Sequence, residues 1–79
     1  MITDVRIENY DGYTIRGIAE YAIARHRQAA DLYDDAARRG NSDDMAWARS
    51  RMIAYGDVLN LITGHRNIEA AAEIVRSIR

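Results

Sequence analysis

The sequence predicts an all-α fold: a long antiparallel helical hairpin plus a short third helix, forming a three-helix bundle, preceded by a short extended N-terminal arm. Three observations predict it. Apolar residues recur three and four apart over two long stretches, the period of an amphipathic helix. Proline, which breaks helices, is absent. Gly40 and Gly64 follow the two periodic stretches, where a helix C-terminus favours glycine. At 79 residues the chain reads as one domain over 1–79.

Residues 1–13 differ from the rest. Val5 and Ile7 alternate with Asp4, Arg6 and Glu8, a short period-two pattern consistent with a strand. Asp11-Gly12 follows as a turn signal. No second alternating run follows, so the segment is either an irregular lead-in to the helix or an arm that pairs with another chain.

The first helix is expected over 14–38, capped by Thr14 or by Asp11. Ile15, Ile18, Ala22, His26, Ala29, Tyr33 and Ala36 form one stripe. Arg16, Glu20, Arg27, Asp31, Asp34 and Arg38 lie opposite, with Arg16–Glu20, Arg27–Asp31 and Asp34–Arg38 spaced as opposite-charge pairs on a solvated face. Gly40 stops the helix. The second helix is expected over 43–63, capped by Ser42 or Asn41, with Asp43 and Asp44 in its first turn, where the helix dipole favours negative charge. A link as short as Arg39–Ser42 implies antiparallel neighbours. Asn67 caps a third helix over 67–78, whose apolar positions are Ile68, Ala71, Ala72, Val75 and Ile78.

The second helix carries two apolar stripes. Met45, Ala48, Met52, Tyr55, Leu59 and Ile62 form a coiled-coil-like seam that matches the first helix in length. Trp47, Ala54, Val58 and Leu61 form another, about 120° around the helix. The third helix can cover part of this second stripe and bury it as core. Alternatively a partner covers it. Trp47 sits at the opening of the helix, near Arg49 and Arg51, and a tryptophan among arginines has the composition of an interface hot spot. Tyr21 and Leu32, with Arg25 between them, widen the first helix's apolar arc beyond what one neighbour needs.

Composition narrows the function classes. A domain of this size buries only about 60% of the surface its unfolded chain exposes, so it leans on a staple, a partner or very good helix packing. There is no cysteine, hence no disulfide and no cysteine-based zinc site. His26 and His65 match no ligand spacing. Net charge is −1, which argues against a strongly basic nucleic-acid binder. All eleven basic residues are arginine, as a GC-rich bacterial or phage genome would encode. The N-terminus has no signal-like apolar run and no segment is long enough to span a membrane, so a cytoplasmic location is expected.

No residue set announces chemistry: there is no phosphate loop, nucleophile elbow or metal motif. His26 reads as a core histidine bonded to a neighbour such as Tyr55, and His65 as a helper at the end of the second helix. Asp34-Asp35 and Asp43-Asp44 read as solvated, capping carboxylates. DVRIEN ahead of a helix resembles the ribbon-helix-helix family, whose strand pairs across a dimer and enters the DNA major groove. The unbroken helical pattern from Thr14 to Arg38 departs from that family's first helix of about three turns, so its DNA-binding role is not carried over. Ala29, Tyr33 and Ala36 before Gly40 resemble the second helix of a tetratricopeptide unit, but no repeat is present.

The expectation is a non-enzymatic protein-protein interaction module without cofactor or small-molecule substrate. It would be an accessory or inhibitory factor, for example against a host defence complex, that forms a homodimer or docks on a larger protein. A small nucleic-acid-binding or regulatory dimer and a structural protein of a phage particle are the alternatives. The expected contact residues are Trp47, Arg51, Val58, Tyr21 and Leu32, with Val5 and Ile7 of the arm.

Overall fold

Local capping chemistry sets the helix ends. In the computed structural model, which describes residues 14–78, α1 spans Ile15–Arg39, α2 spans Ser42–Thr63 and α3 spans Ile68–Ser77. No strand occurs among the described residues, and the expected arm, with Val5 and Ile7, lies outside them.

Thr14 begins α1 with its hydroxyl accepting from the Gly17 amide at 2.9 Å. Asn41, rather than Ser42, caps α2 by accepting from the Asp44 amide at 3.0 Å. Asn67 caps α3 by accepting from the amides of Glu69 and Ala70. Each supplies an acceptor to an amide that the first turn leaves without one. Gly40 and Gly64 end α1 and α2 in the left-handed conformation, with φ of 68° and 79°, which glycine adopts without steric penalty. The His65 ring takes no hydrogen bond at the end of α2 among the described residues. There Gly64 N–H donates to the Asn60 carbonyl and the Thr63 hydroxyl donates to the Leu59 carbonyl.

α1 packs along α2, and α3 packs on both. The buried cluster is Ala19, Ala22, Ile23, Leu59, Ala71 and Val75, with Tyr55, Ile62, Ile68, Ala72 and Ile78 half-buried against it. Leu59 is its only large, fully buried side chain. The rest of the cluster is mostly alanine, so the helices approach closely and each contributes little apolar area.

Two expectations about faces are corrected here. Ile15 and Ile18 belong to the predicted inner stripe of α1 but are exposed, while Ala19 and Ile23 are buried in their place. The reason is α3: Ala71 and Val75 sit against Ala19 and Ile23 and pull the buried arc to that side. For the same reason α3 does not cover the second stripe of α2. Its Ala71 and Val75 join Leu59 of the seam in the buried cluster instead.

Around the α1–α2 turn, Arg39 reaches Asp35 at 3.0 Å and Asp44 at 3.4 Å. Arg38 turns to Asp35 at 3.7 Å rather than to Asp34. Arg16 pairs with Glu20 at 3.4 Å as expected, and its guanidinium also donates to the Ile78 carbonyl at 3.1 Å, tying α1 to the end of α3. These pairs are solvent-exposed, so screening and side-chain entropy leave each a small contribution to stability.

Candidate docking surface

The seam of α2 faces the core: Ala48 and Leu59 are buried, and Met45, Met52, Tyr55 and Ile62 are half-buried. The second stripe stays in solvent. Trp47 is 50% exposed and Leu61 87%, and Ala54 and Val58 are exposed as well. Arg51 lies half-buried with its guanidinium 5.0 Å from the centre of the Trp47 ring. This cation–π contact fixes the indole and leaves the rest of its surface open.

A polar bridge organises the flank next to this stripe. Arg25 of α1 is only 6% exposed. Its Nε donates to the Tyr55 hydroxyl of α2 at 3.3 Å, its Nη1 donates to Gln28 Oε1 at 2.5 Å, and its guanidinium lies 5.7 Å from the Tyr55 ring centre. No carboxylate among the described residues is in ion-pair range of Arg25. A buried guanidinium is tolerated only where its N–H groups find acceptors, so these contacts fix its geometry.

The expected contact residues are arranged around this bridge by helical spacing. Arg51 and Val58 lie one turn before and after Tyr55. Tyr21 lies one turn before Arg25, and Leu32 two turns after it. Leu32 is exposed and Tyr21 half-buried. Val5 and Ile7 lie outside the described residues.

Three features escaped the sequence reading. Arg25 was read only as a spacer between Tyr21 and Leu32, although it falls three residues from Ala22 and four from Ala29, on the buried arc. Ile53, 53% exposed, belongs to neither predicted stripe. Arg49, near Trp47 in sequence, instead borders two open cavities on the Ile53 side of α2.

His26 also departs from expectation. Tyr55 pairs with Arg25, not with His26, and the buried His26 Nδ1 has no hydrogen-bond partner. Burial, and secondarily the charge of Arg27, lower its pKa from the usual histidine value. Among the described residues no group of three or more His, Cys, Asp or Glu side chains could hold a metal ion. No described helix is long and apolar enough to cross a membrane. The uncovered arc of α2 with its α1 flank can therefore offer apolar contact anchored by a stacked Trp–Arg pair. Comparison with protein-family models, curated proteins and solved structures finds no match.

Proposed function

We propose that this chain is a non-enzymatic protein-binding module, and that it self-associates through the outer face of α2. The proposal includes an antiparallel arrangement of α1 and α2, supported by the two-residue Gly40–Asn41 link and by the Arg39–Asp44 and Arg25–Tyr55 contacts. Contacts near the turn and farther along both helices in opposite directions are what a helical hairpin requires.

The uncovered second stripe of α2 carries the proposal. An exposed run of Trp47, Ala54, Val58 and Leu61 is unusual for a helix that needs only one partner face. Trp47 with Arg51 stacked on it pairs two of the residue types enriched in interface hot spots. Leu32 and Tyr21 extend the contact area onto α1. An alanine-rich core with one large fully buried side chain leaves stability to gain from a partner.

The test is solution mass by light scattering across a hundredfold concentration range, with Trp47 fluorescence read on the same samples. Dimerisation with a concentration-dependent blue shift is the expected result. A monomer whose tryptophan stays solvent-exposed throughout would replace self-association with a larger protein target. A monomer whose tryptophan is already shielded would remove the surface altogether.

A further inference from the structure

α1 and α2 have 25 and 22 residues, about 37 and 33 Å, whereas α3 has 10 residues, about 15 Å. α3 therefore fills less than half of the groove between them. Its buried partners Ala19, Ala22, Ile23 and Leu59 all precede His26 on α1 or follow Gly56 on α2. Past that point lie two adjoining cavities of about 300 and 320 Å³ that share Arg49 and Ile53.

The half-buried Met45 and Met52 and the buried Gly56 line these cavities deep, and exposed Arg49 and Arg66 line them at the rim. No carboxylate among the described residues lines either one. Arg66 is engaged by Asp57, but Arg49 has no hydrogen-bond or ion-pair partner among the described residues. The unpartnered Nδ1 of His26 belongs to the same groove. Gly56 adds an independent sign. It sits inside a helix, where glycine is unfavourable by about 1 kcal/mol relative to alanine, yet a Cβ there would meet nothing within 4 Å.

We propose that this groove docks an amphipathic helix of a partner protein, one that lays apolar side chains over Met52, Ile53 and Gly56 and sets a carboxylate against Arg49. From Met45 to Gly56 the open stretch spans about 17 Å, which matches roughly three turns of helix. Methionine-lined grooves adapt to such side chains. A wholly apolar occupant would bury Arg49 unpaired, and a basic one would add like charge, so an acidic helix is the favoured chemistry. Ile53 lies about 120° around α2 from Trp47, so this groove is distinct from the self-association face.

The test titrates the isotope-labelled full chain with a synthetic helical peptide of leucine, alanine and glutamate, and with the same peptide carrying lysine in place of glutamate. The glutamate peptide is expected to shift the amide signals of His26, Met52 and Ile53, and to bind at least about tenfold more tightly than the lysine peptide. Arg49→Glu should weaken it by about tenfold or more, and Ile53→Asp should abolish it. Both positions are exposed, so circular dichroism should remain unchanged. Trp47→Ala should leave the affinity as it was. No shift with the glutamate peptide up to about 1 mM, or equal binding of both peptides, would overturn the proposal. So would movement of the same signals with protein concentration alone, which would mean that a second copy fills the groove.

Discussion

Replacing Trp47 by alanine separates a docking tryptophan from a core one. Burying an aromatic side chain fully removes about 150–250 Å² from water. Trp47 is 50% exposed, so roughly 100 Å² is removed, an upper limit near 2.5 kcal/mol at about 25 cal/mol per Å². Loss of the Arg51 stacking at 5.0 Å adds about 0.5–1 kcal/mol. Against this, a compact denatured state lowers the area term by roughly 10–40%. Alanine also gains about 0.5 kcal/mol of helix propensity. The net expectation for the monomer is a loss of about 1.5–2.7 kcal/mol, below the roughly 3–5 kcal/mol of a fully buried tryptophan. Urea unfolding followed by far-UV circular dichroism, at a concentration where the wild type is monomeric, measures it. Light scattering of the same variant at high concentration should show self-association lost. A destabilisation of 3 kcal/mol or more, with self-association intact, would refute the reasoning and place the indole in the core.

Leu59→Ala should be the most damaging single truncation, about 3–5 kcal/mol in the same urea assay, because short alanines around it cannot collapse into the void. Tyr55→Phe should lower stability by about 1–3 kcal/mol, since it removes the hydroxyl that accepts from buried Arg25. Gly56→Ala should raise stability by about 0.5–1 kcal/mol, read as an increase in urea midpoint. For His26 the folded-state pKa is lowered, so the unfolded chain binds more protons in the acid range. Its contribution is therefore fully present above the unfolded value of about 6.5 and is lost as pH falls below that value towards the folded pKa. His26→Gln should flatten that part of a stability-against-pH curve measured by thermal unfolding.

The helices and their ends were legible because the interactions that set them are local. Thr14, Asn41 and Asn67 cap through amides two or three residues away. Gly40 and Gly64 terminate through their own backbone conformation. The seam of α2 was legible too, since a three-four repeat has only one way to face a neighbouring helix. The candidate surface was partly legible for the same reason: once Met45, Ala48, Met52 and Leu59 face inward, Trp47 and Leu61 must face elsewhere.

What the sequence could not decide depends on rotation about a helix axis and on where a third element lands. Arg25 and His26 are neighbours about 100° apart on one broad arc, and only the packing of α1 on α2 aims Arg25, not His26, at Tyr55. Whether Ile18 or Ala19 would be buried turned on which side α3 takes, and α3 is placed by contacts with residues some fifty positions away. The open groove at Arg49 and Ile53 follows from the same placement: composition determined three amphipathic helices of unequal length, but only the tertiary structure shows which half of the long pair the short one leaves bare, because side-chain periodicity fixes a face and not a position along it.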